Sequence, residues 1–555
     1  MTAGRSGAAG AARAGSGYGL SGSGVLMAGG SVDRVYERRI AATINSREQR
    51  LLAGGRRGLE RESLRVGPDG RLAQTPHPRA LGSALTNAHI TTDYSEALLE
   101  LVTPTFTSNA ALMHYLMDLH RFVYQHLGDE LLWATSMPCE LAGDGEIPIA
   151  RYGSSHQGRI RSIYRHGLLI RYGGMMQAIS GVHFNYSLPL EFWPFYAEVC
   201  QSRDAGMQFT SARYFDLLRN YRRYGWLVPY LFGASPALCR SFLQGREDAQ
   251  LSARGEQTLI GPYATSLRMS DLGYRNRNQA AVSVSVNSLE HYLRDLRWAM
   301  AQPHPQYEAL GVKVDGEYRQ LSANVLQIEN EYYSYIRPKR NLRAGERTSH
   351  ALARAGVEYV EVRALDNSVF DPVGVNLRKL HFLEAFVQLL LLKDSPPIDG
   401  NEEEAIDRNH LHVARRGREP GLMLERDGRE VPMRAWAAEL LDAMQAVCEL
   451  LDASDPQLPY GETLKEQVAK LEAVERTPSA RLLAELDEHD ESFAALALRV
   501  SRGHRDRLRG EPLQQPARGR EFEEEVEASL EQQASVEASQ RGSSFDEYLA
   551  AYLAD

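Results

Sequence analysis

The sequence predicts an α+β protein built on a largely antiparallel sheet. Between residues 34 and 400, short segments with alternating apolar and polar side chains recur, and compact turns separate them. Helical periodicity is confined to intervening stretches such as 110–127 and 202–226, enough to cover one side of a sheet. That balance argues against a repeating βαβ fold.

Taken in order, residues 1–33 read as a flexible extension: "AGRSGAAGAARAGSGYGLSGSG" has too little large apolar surface to offset the entropy of ordering it. Its glycines lack the GxxxxGK[ST] pattern of a phosphate loop. Residues 34–400 form the candidate catalytic region, and its first clear feature is "VGPDGRLAQ", a Pro-Asp-Gly turn between two short segments. After the "SPPIDG" break the text turns helical. Trp436, Leu440, Met444, Val447 and Leu451 form one apolar stripe within 401–514, and Leu464, Val468, Leu471 and Val474 a second. Residues 515–555 are acidic and glutamine-rich, the pattern of a solvated helix or a loose tail.

Bulk properties exclude several classes. Among 555 residues, 43% are apolar and 24% charged, as in an ordinary protein with a sizeable core. A formal charge of −9 argues against diffuse attraction to nucleic acid or to anionic membranes. Four cysteines without a Cys-x-x-Cys pair suggest neither a zinc ribbon nor a disulfide framework. The apolar run 386–392 is too short to span a bilayer. With no convincing signal-peptide core, the expectation is a cytoplasmic protein.

The functional signal is carboxylates on alternating segments. In "GLERESLRV", a strand period sets Glu60 and Glu62 on one face. "EYVEVRALD" turns Val360 and Val362 one way and Glu361 and Arg363 the other, and "GVHFNYSLP" groups His183 with Asn185 and Ser187. "LQIENEYY", read as a strand, would align Gln327, Glu329 and Glu331. "TTDYSEALLELVTP" contributes Asp93, Glu96 and Glu100, and a glutamate in so apolar a stretch is costly unless paired, protonated or metal-bound. Oxygen donors with one histidine suit Mg²⁺ or Mn²⁺, and more than one ion would neutralise a triphosphate. Arg268, Asp271 and Tyr274 in "PYATSLRMSDLGY", and Tyr333, Arg337, Lys339 and Arg340 in "YYSYIRPKR", offer cations and hydroxyls for an acidic substrate and phosphate.

These segments, with "ALGSALTNAHITTDYSEALLELVTP", "MQAISGVHFNYSLP" and "VPYLFGASPA", occur in one order. By them the chain resembles the type 1 family of proteobacterial glutamate–cysteine ligases (γ-glutamylcysteine synthetases), strongly over residues 50–395 and weakly beyond. The resemblance implies a glutamine-synthetase-like fold with a curved sheet. It also implies ATP-dependent joining of the glutamate γ-carboxylate to the cysteine amine through γ-glutamyl phosphate, opening glutathione biosynthesis. It assigns Glu60, Glu62, Asp93, Glu100, His183 and Glu361 to metal, Arg268 and Arg363 to the acidic substrate, and Tyr164, Gln177, Tyr274 and Tyr333 to the amino-acid pockets. Tyr94 falls near the thiol, and Arg337, Lys339 and Arg340 near ATP. A monomer and feedback binding of glutathione complete the expectation. The alternatives are a ligase with another amine acceptor, a two-metal phosphohydrolase, and an inactive scaffold, which the intact glutamates oppose.

Overall fold

The computed structural model describes residues 33–273, 282–343, 345–454 and 459–554. Most of the expected N-terminal extension, and Tyr274, lie outside them.

The first strands are β1 (Arg56–Val66), β2 (Ile90–Thr92), β3 (Leu98–Val102), β4 (Leu131–Leu132) and β5 (Gly181–Ser187). β6 (Ala237–Cys239), β7 (Ser252–Arg254) and β8 (Thr258–Ile260) form a separate small sheet, and β9 (Lys313–Val314) and β10 (Glu317–Tyr318) a hairpin. β11 (Ile336–Lys339) and β12 (Tyr359–Asp366) complete the main sheet. Among the described residues its order is β11-β12-β5-β1-β3-β2, with β4 on β1, and the pairings are antiparallel. The α+β expectation therefore holds. The Pro-Asp-Gly turn forms as expected: Gly70 takes φ +83°, and the Gly67 N–H donates to the Arg71 carbonyl at 2.8 Å.

One face of the sheet is apolar. Leu59, Val182, Phe184, Tyr186, Val360 and Val362 are buried in the largest core, with residues of the helices Met207–Tyr224, Leu227–Phe232 and Leu377–Leu392. Each such side chain contributes about 1.5–3 kcal/mol through burial. The run 386–392, apolar except for Gln388, is buried on every side. No helix among the described residues is long and apolar enough to cross a membrane.

The first helical stripe holds: Trp436, Leu440, Met444, Val447 and Leu451 on the helix Met433–Ser454 are all buried. The second does not. Val468 is 38% exposed, and the face that Tyr460–Glu472 buries carries Tyr460, Thr463, Leu464 and Gln467. Residues 515–555 form the helices Pro516–Ser539 and Phe545–Ala554, and sparse anchors dock them. Phe522 packs on Tyr115 and Phe122, Arg518 pairs with buried Asp118 at 2.7 Å, and Phe545 and Leu549 pack beside Ile160.

Candidate active site

Because β3, β1, β5 and β12 are neighbours, the polar positions of four strands meet on the face opposite the core. Register sets Glu60 opposite His183, Glu62 opposite Glu100, and Glu361 opposite Asn185. His183 Nδ1 lies 3.0 Å from Glu60 Oε2 and 3.9 Å from Glu361 Oε1, and its Nε2 lies 3.5 Å from Glu62 Oε1. Glu60, Glu100 and His183 present ligand atoms within 4.8 Å of one another. Asn185 donates to Glu60 Oε1 at 2.9 Å, and the Gly181 N–H to Glu62 Oε2 at 2.8 Å.

A register shift in β12 between Val362 and Leu365 inserts one extra residue opposite β5. Such a bulge re-aims a side chain. It brings Arg363 Nη1 to 3.2 Å from Glu361 Oε2 and 3.5 Å from His183 Nδ1. Arg268, 1% exposed, donates to the Arg363 carbonyl at 2.9 Å. Its Nη1 lies 3.8 Å from Asp366, whose oxygens accept from the Ala234 N–H, Ser235 and Ser266.

Glu62, Asp93, His183, Arg268 and Arg363 line a cleft with Gln177 and Tyr333. The Tyr333 hydroxyl donates to Gln177 Oε1 at 2.9 Å, and the buried Gln177 Nε2 has no hydrogen-bond partner. Met176, Ile179 and Gly273 also line the cleft, and sequence reasoning passed over them. For Met176 and Ile179 the available signal was their place immediately before β5.

The other expected residues are divided between the cluster and its surroundings. Lys339 Nζ reaches Glu361 Oε1 at 3.3 Å, but Arg340 is bound to the Gly356 carbonyl at 2.6 Å. Arg337 donates to the carbonyls of Asn330 and Tyr332. Tyr94 is 1% exposed inside a second core, its hydroxyl unpartnered, and half-buried Tyr164 packs between that core and the last helix. "LQIENEYY" is not a strand: Glu329–Glu331 is a 3₁₀ turn. Glu331 is taken by Arg171 at 2.9 Å and Tyr172 at 2.7 Å, and Glu329 by Arg347 at 3.1 Å, so neither joins the cluster. Glu96 holds loops, accepting from the N–H groups of His77 and Arg151.

The electrostatics of the cluster are divided. Burial, reinforced by Glu60, Asp93 and Glu62, pushes the Glu100 carboxyl well above the usual range, and burial raises Glu62. Glu361 is buried too, yet Lys339, Arg363 and His183 hold it well below. Glu60 is likewise held low: burial and Glu361 push it up, but the hydrogen bond and charge of His183 together with Lys339 outweigh them. His183 Nε2 is buried without a hydrogen-bond partner. Hard oxygen donors, that unpartnered ring nitrogen and carboxyls that resist ionisation together fit a divalent cation.

Comparison with known proteins places the chain in a family. A family model described as glutamate-cysteine ligase matches residues 40–413. A glutamate–cysteine ligase of Alcanivorax borkumensis is 47% identical, covering 94% of this chain and 99% of its own length. One from Azotobacter vinelandii is 49% identical over the same shares. The crystal structure of a glutamate–cysteine ligase from Francisella tularensis in complex with AMP superposes with a TM-score of 0.84 at 36% identity, covering 90% of this chain and 97% of that one.

Proposed function

Because the chain belongs to the glutamate–cysteine ligase family, we propose that this carboxylate face is the site where it joins L-glutamate to L-cysteine at the expense of ATP. That reaction is the first step of glutathione biosynthesis. The observation that supports the placement is the convergence of Glu60, Glu62, Glu100, His183 and Glu361 from four strands, with Arg268 and Arg363 lining the adjoining cleft.

The chemistry needs activation, because oxide cannot leave a carboxylate at neutral pH. The γ-carboxylate of glutamate attacks the γ-phosphorus of ATP, forming γ-glutamyl phosphate and releasing ADP. The cysteine amine then attacks that acyl group, phosphate leaves, and the amine proton is lost. Glu60, Glu62, Asp93, Glu100, His183 and Glu361 would hold Mg²⁺, which when bound spreads the negative charge of the phosphoryl group. Arg363 faces the same charge from the protein side, and Lys339, beside Glu361, is our choice for the phosphates. Arg337 braces the turn at 330–332. Gln177 and Tyr333 offer donors to the amino-acid substrate in the cleft, with Arg268 beside them. Tyr94 and Tyr164 are our candidates for the thiol wall.

No protein nucleophile is required. Burial pushes the thiols of Cys139, Cys239 and Cys448 up to about 12, which suits inert cysteines.

Mass spectrometry with ADP release tests the reaction directly. γ-Glutamylcysteine should form in step with ADP from Mg²⁺–ATP, glutamate and cysteine. ADP without an amide would instead indicate hydrolysis.

Gly181 allows Arg268 to lie flat against the start of β5, and a Cβ there would collide with the guanidinium. Gly181→Ala should therefore lower kcat/KM about a hundredfold by displacing that charge. Steady-state kinetics on a folded variant check it, and a change under threefold would remove Arg268 from the machinery.

Magnesium binding should depend on pH with a defined sign. Glu100 and Glu62 hold their protons above the ordinary 4.5. In the metal-free chain the folded state binds more protons than the unfolded one above that pH, so these two groups make stability fall as pH rises through the window. Magnesium must displace those protons. The rise in Tm that it causes should be larger at about pH 8 than at about pH 5.5. Equal rises at both would place the metal away from these carboxyls.

A further inference from the structure

Two stretches of chain that meet beside the cleft are tied together twice. The helix His156–Tyr172 ends five residues before Gln177, and the turn Glu329–Glu331 ends two residues before Tyr333. The 2.9 Å hydrogen bond from Tyr333 to Gln177 is the first tie, and it joins two residues that line the cleft. The second tie links the two lead-in segments themselves, and it is charged and buried. Glu331 and Arg171 have no exposed side-chain surface. Glu331 Oε1 accepts from Arg171 Nη1 at 2.9 Å and from the Tyr172 hydroxyl at 2.7 Å, and Oε2 accepts from the Gln327 N–H at 2.6 Å.

Arg171 is held on its other edges too, by Gln320 Oε1 at 2.9 and 2.8 Å and by the Ser322 carbonyl at 2.6 Å. Burial and the Glu331 charge raise the Tyr172 hydroxyl above its usual range, so it stays a donor. A carboxylate that accepts from three fixed donors away from water resists any shift of the turn, because moving it breaks charge-assisted bonds. The fit also leaves no room for a methyl group. Gln327 crosses the helix at Gly167, donating to the Tyr164 carbonyl at 3.3 Å and accepting from the Leu321 N–H at 3.0 Å. A Cβ at Gly167 would lie 2.2 Å from Gln327 Oε1. Glycine is a poor residue inside a helix, and here it permits that close approach.

We propose that Glu331 is a positioning residue for an amino-acid substrate, a role that rests on the placement of the ligase reaction in this cleft. By clamping the end of the helix to the turn, Glu331 sets the spacing of Gln177 and Tyr333. It touches no substrate and acts through Tyr333. A displacement of well under the width of an atom is enough to spoil a hydrogen bond to a bound amino acid, so the rigidity of the clamp is what the cleft requires. A role confined to holding the chain together predicts no preference among substrates.

The test is a double-mutant cycle in the steady-state kinetics of γ-glutamylcysteine formation by the full chain. Tyr333→Phe and Glu331→Gln should each raise KM about tenfold for the same one of the two amino acids, glutamate or cysteine, and leave KM for ATP within about twofold. In the Tyr333→Phe background, Glu331→Gln should add less than about threefold, because the path through Tyr333 is already cut. Tyr172→Phe removes one of the three donors and keeps its ring, so it should show the same selectivity at about threefold, and it decides the matter where Glu331→Gln fails to fold. Gly167→Ala should match it, although alanine favours the helix. Effects that multiply in the double variant, or a KM for ATP that rises in step with those of the amino acids, would overturn the proposal. So would a Glu331→Gln effect on an amino acid whose KM Tyr333→Phe leaves unchanged. Absence of γ-glutamylcysteine formation by the wild type is a separate failure, of the reaction assigned to the cleft.

Discussion

Replacing Glu361 by glutamine is expected to lower turnover about a thousandfold while the chain stays folded. Glu361 is fully buried on β12, yet it stays ionised because Lys339 lies 3.3 Å away, Arg363 3.2 Å and His183 3.9 Å. Glutamine keeps the shape and removes the charge. Lys339 and Arg363 then lose the anion that orients them, and the cluster loses the carboxylate that most resists protonation. The loss should appear in kcat, since a group that meets charge developing in the transition state acts there. Initial rates of ADP release and γ-glutamylcysteine formation measure it, with circular dichroism as the control for folding. Activity within tenfold of wild type would remove Glu361 from the site.

The largest stability effect is expected at Glu384→Leu. This carboxylate is fully buried behind the sheet, paired with Arg57 of β1, which is 2% exposed. It also accepts from Asn109 and from the Tyr460 hydroxyl, each at 2.7 Å. Strand β1 and the helices Asn109–His126, Leu377–Leu392 and Tyr460–Glu472 thus meet at one charge. Removing it leaves the Arg57 guanidinium buried without its anion, a loss of about 3–5 kcal/mol. The double replacement Arg57→Met with Glu384→Leu should recover much of that loss, because no lone charge then remains. Urea midpoints of the two variants check both statements. A single-variant cost below about 1 kcal/mol would mean that water reaches Arg57.

The face of each functional residue was legible from local spacing. A period of two obliges Glu60 to share a side with Glu62, and Glu361 with Arg363, whichever strands lie next to them. The motifs around these residues also carried the family resemblance, and with it the reaction. Spacing likewise determined the stripe on Met433–Ser454, because a helix fixes which positions align.

Tertiary structure decided what each charge faces. β1 and β12 lie about 300 positions apart in the chain, yet both flank β5, and only that adjacency brings Glu60 and Glu361 to the same histidine. Glu329 and Glu331 resemble the site glutamates in sequence, and distant Arg347 and Arg171 turn them into structural anchors. The same applies to Lys339 and Arg340, neighbours in the chain of which one meets Glu361 and the other a backbone carbonyl. Nor could the 515–555 segment be placed from its composition, since its few buried side chains are invisible among many acidic ones. The physical reason is common to all four. Backbone geometry is local and sets direction, whereas the worth of a charge depends on the partner and the dielectric around it, which only the folded chain supplies.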